Sequence, residues 1–195
     1  MIAYYFPPMG LSGVQRTLKF AKFLPKYGWK PTVLTVVPTG YYAMDPSLLA
    51  EAEEAGIEIV RTSSVDPNRL FAKARMTRMP SEPVRQLAQF FSDLLFIPDT
   101  KIGWKRRAVK VGSELLRQRS FDALFATAPP QTDLLIGLEL KRRSKLPLVI
   151  EYRDSWLDYP FKGFPTPLHR MLHARLERRV IQGCDKVIVT HRRVK

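Results

Sequence analysis

Short runs of β-prone apolar residues alternate along this chain with stretches whose apolar residues recur at helical spacing, and that alternation restricts the fold more than any other feature. Strand, helix and strand in succession bury their apolar faces together when the strands lie parallel and the helices cover the sheet. Six strand candidates are legible: Ile2–Phe6, Thr32–Val37, Ile57–Val60, Ala123–Thr127, Leu148–Tyr152 and Lys186–Thr190, most of them bounded by Gly, Pro or Asp. The expected class is α/β, an open parallel sheet of about six or seven strands with helices on both faces.

The intervening helices each carry one apolar stripe. Val14, Leu18, Ala21 and Leu24 fall at i, i+4, i+7 and i+10, and Pro25 and Gly28 signal the end of that helix. Trp104, Ala108, Val111 and Leu115 repeat the pattern, as do Leu134 and Leu138, and Leu168, Leu172, Leu176 and Val180 continue it to a stop at Gly183. Residues 66–98 break the alternation. This insertion has a basic first half, with four cations and no acid between Arg69 and Met79, and a mostly apolar helical second half from Val84 to Ile97.

The chain has 32 Lys plus Arg against 18 Asp plus Glu, a formal charge of +14, so an anionic partner is expected: nucleic acid, an anionic membrane surface or a phosphorylated substrate. A merely solvated basic surface is the alternative. The basic clusters, Arg69–Arg78, Lys105-Arg106-Arg107, Lys141-Arg142-Arg143 and the group Arg175, Arg178 and Arg179, interleave with apolar residues. That favours membrane contact over nucleic acid, for which zinc-finger spacing, RNA-recognition aromatics and a helix-turn-helix signature are all lacking. The single cysteine, Cys184, excludes an internal disulfide framework and suits a reducing cytosol. Localisation is expected to be cytoplasmic, with peripheral attachment at the inner membrane face. No apolar run approaches the roughly 20 residues needed to span a bilayer, and the start of the chain lacks a secretory signal.

Two loops concentrate the chemistry. Gly10-Leu11-Ser12-Gly13 lies between the first strand and a helix start, where close backbone approach and unpaired amides favour a phosphate or carboxylate. A plain tight turn with Ser12 as N-cap is the other reading. Neither G-x-G-x-x-G nor a P-loop is complete there. After the fifth strand candidate comes Arg153-Asp154-Ser155-Trp156, at the sheet edge where ligands bind in open α/β folds. Asp154 can accept hydrogen bonds from substrate hydroxyls, Arg153 can hold an anion and Trp156 can stack on a sugar; alternatively Arg153 and Asp154 pair and Trp156 fills core. Pro129, Pro130 and Gln131 occupy the matching edge of the fourth strand, followed by Thr132 or Asp133 as a helix cap. Three loops should converge there, the first and the Trp156 segment forming opposite walls of one hollow.

Other candidates carry less. His169 and His173 have a zinc-compatible spacing but no third ligand, so a surface pair is expected and no metal site is assigned. Cys184 reads as a small buried residue rather than a nucleophile.

The run Tyr4-Tyr5-Phe6-Pro7-Pro8-Met9-Gly10 with Gly13-Val14-Gln15-Arg16, the segments Lys19–Leu24 and Gly28-Trp29, Ala128-Pro129-Pro130, Tyr152–Trp156 and Cys184–Thr190 together resemble the N-terminal domain of a GT-B glycosyltransferase of the large family-four group. Those enzymes are retaining and use nucleotide sugars. The resemblance implies a Rossmann-like single domain over 1–195 that binds the acceptor, a sugar or a lipid-linked molecule. The donor nucleotide sugar would be a co-substrate held mostly by a C-terminal domain that this chain lacks, supplied in cis or in trans, so that the polypeptide alone is not expected to transfer sugar. No other cofactor is implied. By the same resemblance Gly10, Ser12, Gly13 and Arg16 face the donor's phosphates, Arg153, Trp156, Pro129 and Gln131 border the acceptor, and Asp154 is the catalytic candidate. Relatives commonly have a second glycine where Leu11 stands, a place where a β-carbon restricts the backbone. The second class of function, a non-catalytic basic α/β module on an anionic membrane or another polyanion, rests on charge alone.

Overall fold

A computed structural model of the chain describes residues 1–38, 43–65, 82–158 and 163–190. The basic half of the insertion, Arg69–Met79, and His191 lie outside these residues.

The β-prone runs form five parallel strands among the described residues: β1 (Thr32–Val36), β2 (Glu58–Thr62), β3 (Leu124–Ala128), β4 (Leu148–Tyr152) and β5 (Lys186–Val189). β1 pairs with β2, and β3–β4–β5 pair in order, with Leu124 opposite Leu148 and Val149 opposite Lys186. The opening segment joins the two groups, because Ile2 bridges Leu34 on one side and Ala126 on the other, parallel to both. The spatial order is therefore β2, β1, opening segment, β3, β4, β5. The chain reverses direction across the sheet between the opening segment and β3, which is the switch point of a Rossmann-like sheet.

The strand expected over Ile2–Phe6 is not formed beyond Ile2, and the count is five rather than six or seven. Its backbone groups are taken elsewhere: the Tyr4 amide donates to Asp133 Oδ2 at 2.8 Å, and the Tyr4 carbonyl accepts from Thr35 Oγ1 at 3.1 Å. Side chains thus replace the ladder, and Pro7 and Pro8 have no amide hydrogen to extend it.

Helices α1 (Ser12–Phe23), α2 (Pro46–Glu54), α3 (Glu82–Leu95), α4 (Lys105–Gln118), α5 (Gln131–Ser144) and α6 (Pro167–Gly183) complete the described fold. Helices cover both faces of β3. Phe20 of α1 stacks on Phe125 at 5.6 Å, while a β-carbon on Gly137 of α5 would meet Ala126 and Leu148 at 3.0 Å; successive strand residues point to opposite faces. α4 lies as close: Gly112 faces Leu140 and Leu34, with no room for a side chain. α2 is absent from the periodicity reading, although Asp45-Pro46-Ser47 announces it. The Asp45 carboxylate accepts from the Ser47 amide at 3.0 Å, and proline occupies the first turn.

The core runs through the switch point. Tyr4, Phe6, Leu18, Leu134, Ile136, Leu140 and Ile150 are fully buried, with Trp104 edge-on to Tyr4 at 5.4 Å and its indole N–H bonded to Thr62 Oγ1 at 2.6 Å. No helix of the described residues is long and apolar enough to cross a membrane.

Candidate functional site at the carboxyl edge of the sheet

Parallel strands bring their following loops to one edge, so residues 7–11, 129–130 and 153–158 meet above the switch point. Arg153 ties them together. Its Nη1 donates to the Gly13 carbonyl at 2.9 Å, its Nε to the Ala128 carbonyl at 3.1 Å, and its Nη2 to the Pro129 carbonyl. The alternative ion pair with Asp154 is not made among the described residues. Instead the guanidinium satisfies three carbonyl oxygens, and the first loop and the β4 loop touch rather than face each other across a hollow.

Gly13 is small for this contact, since a β-carbon there would collide with the Arg153 guanidinium. Gly10 is buried; its amide donates to the Ala43 carbonyl at 2.8 Å, and it packs against the 43–45 segment. Arg61 of β2 braces the same loop from the other side by donating to the carbonyls of Pro7 and Val36. Ser12 is exposed and is the first residue of α1; the N-cap is Leu11, without a side-chain cap bond, so the Ser12 N-cap reading is corrected. Leu11 adopts φ 72°, ψ 164°, a region that suits glycine, with its side chain 52% exposed. The amide end of α1 has no acid in its first turn and no side-chain cap, and it opens onto the rim.

The corresponding end of α5 is filled. Asp99 Oδ2 accepts from the Thr132 amide at 2.9 Å, while Oδ1 accepts from the Thr132 hydroxyl at 2.8 Å and the Lys101 amide at 2.8 Å. Sequence spacing gave no hint of this cap, because its residues are 33 apart. Asp133, one position on, reaches Tyr4 instead of capping α5. It is fully buried with Oδ1 unbonded among the described residues, and burial, with Asp99 nearby, pushes its carboxyl well above the usual range.

Arg16 is not a free cation. It forms an ion pair with Glu151, Nε to Oε1 at 2.7 Å, and the buried Glu151 also accepts from Thr127 Oγ1 at 2.8 Å. Asp154 is half-buried and makes no side-chain bond with any described residue, which leaves its carboxylate open at the rim. Pro129 is half-buried, its carbonyl taken by Arg153, and Gln131 is buried at the start of α5. Trp156 lies beneath the rim with no exposed surface, its indole N–H donating to His173 Nδ1 at 2.9 Å. A ring so placed fills core and has no face for a sugar.

The two histidines diverge. His173 is buried under Trp156, against the expectation of a surface pair, whereas His169 contacts Thr166 Oγ1 and the Leu94 carbonyl. Cys184 is half-buried, its thiol pushed up by burial and donating to the Ile181 carbonyl.

A family model described as a glycosyl transferase 4-like domain matches residues 13–195. No curated protein matches the chain.

Proposed function

The chain belongs to the glycosyl transferase 4-like domain family, and from that premise we propose that it is the acceptor-side half of a nucleotide-sugar-dependent glycosyltransferase, working at the carboxyl edge of its sheet. The observation that carries this reading is the rim itself: Arg153 holds the loops after the opening segment, β3 and β4 together, with the open amide end of α1 and the open Asp154 carboxylate on it. A donor-binding domain, in cis or in trans, completes the crevice.

In this reading the donor's diphosphate approaches the amides at Ser12 and Gly13, where the dipole of α1 supplies roughly half a positive charge. Asp154 accepts a hydrogen bond from the acceptor hydroxyl and orients its oxygen toward the anomeric carbon. The bond from that carbon to the diphosphate oxygen breaks, the acceptor oxygen takes its place with retained configuration, and the hydroxyl proton leaves with the departing phosphate. Arg153 acts as a positioning residue, because its guanidinium is spent on backbone carbonyls. Glu151 holds Arg16 in line beneath the same loop.

The test is release of nucleoside diphosphate from a panel of nucleotide sugars, with the chain joined to a donor-binding domain of its family. Asp154→Asn should lower the rate at least about a hundredfold with unchanged thermal stability. Wild-type turnover in that variant, or no release with any donor, overturns the proposal.

A further inference from the structure

A groove of about 1420 Å³ runs along the outer side of α4, bounded by α5 and by the turn that enters β3. α4 has 14 residues, so the groove has a wall about 21 Å long at 1.5 Å per residue. Arg106, Lys110, Ser113 and Arg117 stand at i, i+4, i+7 and i+11, on the single face of α4 that lines it. The three cations of that row form no ion pair with any described residue. Two carboxylates share the lining, but Glu139 is already claimed by Arg142 and Arg143, which pull it down to about 2. Among the described residues of the lining, only Glu114 offsets the row. Between the cations the Ser113 hydroxyl is buried and has no hydrogen-bond partner among the described residues, and the half-buried Phe121 ring closes the lower end.

A row of positive charges along a groove about 21 Å long suits an extended chain that bears anionic groups at intervals. A flat bilayer would touch the exposed heads of Arg106, Lys110 and Arg117 but would not enter the groove between α4 and α5. Single-stranded nucleic acid would need a series of stacking rings, and Phe121 is the one aromatic among the described residues of the lining. The upper end of the groove, at Ile102 and Lys105, starts from the loop whose Asp99 caps α5 beside the rim. A polymer with its end at Asp154 would therefore continue into it.

We infer that this groove binds an acidic glycan, a sugar chain carrying carboxylates or phosphates, as the body of the acceptor. The inference rests on the glycosyltransferase reading, so its test reads binding rather than turnover. The full chain is titrated with fluorescein-labelled oligogalacturonate at low salt, beside neutral maltooligosaccharides, oligo-dT and vesicles of phosphatidylcholine with phosphatidylglycerol.

Oligogalacturonate should bind and the neutral oligomer should not; adding salt should weaken the complex, and Arg106→Gln, Lys110→Gln and Arg117→Gln combined should weaken it about tenfold with an unchanged circular dichroism melt. Asp154→Asn should retain polymer binding here while losing nucleoside diphosphate release when joined to a donor-binding domain, which separates a failed groove from a failed active site. Equal binding by the triple variant overturns the inference, and so does binding of oligo-dT or the vesicles as tight as that of the glycan.

Discussion

Arg153 occupies the space that a side chain on Gly13 would need, and its Nη1 holds the Gly13 carbonyl at 2.9 Å. Substituting Gly13→Ala should therefore expel the guanidinium, which is the mobile end of a long side chain, and forfeit its bonds to three carbonyls. Gly13→Ala and Arg153→Ala should each cost about 1–3 kcal/mol in urea unfolding. The double variant should cost much less than their sum, since both remove the same contact. Additive losses would show that the two residues act independently.

Leu11 holds a backbone conformation that costs an ordinary residue about 1–3 kcal/mol. Leu11→Gly should relieve it and, after the greater chain entropy of unfolded glycine, raise stability by about 1 kcal/mol. A higher midpoint in thermal melts is the expected outcome; a lower one would mean that the exposed leucine side chain holds the loop.

Glu151 is a buried carboxylate whose charge is balanced by Arg16 and whose second oxygen takes the Thr127 hydroxyl. Arg16→Met should strand that charge and cost about 2 kcal/mol, below the range for a wholly buried pair because Arg16 keeps 39% of its side chain exposed. Glu151→Gln should restore much of the loss in the Arg16→Met background, because the amide retains hydrogen bonding to Thr127 without a buried charge. Denaturant unfolding of the four proteins measures this.

Asp133 has a carboxyl pushed well up by burial. A folded-state value above the unfolded one contributes stability that is complete below the unfolded pKa, near 3.9, and is lost as pH rises through the folded value. Asp133→Asn, which keeps an oxygen for the Tyr4 amide, should therefore gain on wild type as pH increases from 5 to 8. The difference between the two melting curves is the readout. The depressed carboxylates, Glu51 and Glu139 among them, act in the opposite sense below their unfolded values and cancel in this comparison. A difference independent of pH would refute the buried-acid account.

Much of this was legible in the chain. The stripe Val14, Leu18 and Ala21 is buried on α1 as its spacing requires, and β1, β3, β4 and β5 fall within a residue of the apolar runs that announce them. The edge where Gly13 and Arg153 meet also follows from strand and helix order, since parallel strands deliver their loops to one side. The partners of the polar residues at that edge were not legible. The residues themselves allow Arg153 a ligand or Asp154, Trp156 a sugar or the core, and Thr132 or Asp133 the cap; the structure gives Arg153 to Gly13, Trp156 to the core against His173, and Asp133 to Tyr4.

The sequence by itself determined the layer order, the sheet's polarity and the buried stripe of α1, because periodicity and turn residues act over a few neighbouring positions; on α6 the expected stripe does not hold, since Leu168 is 55% exposed while His173 is buried. Only the tertiary structure decided which charges are spent and which stay open. Arg16 and Glu151 are 135 residues apart and Gly13 and Arg153 are 140 apart, and the low-dielectric interior that makes such pairing obligatory exists only once the sheet has brought them together.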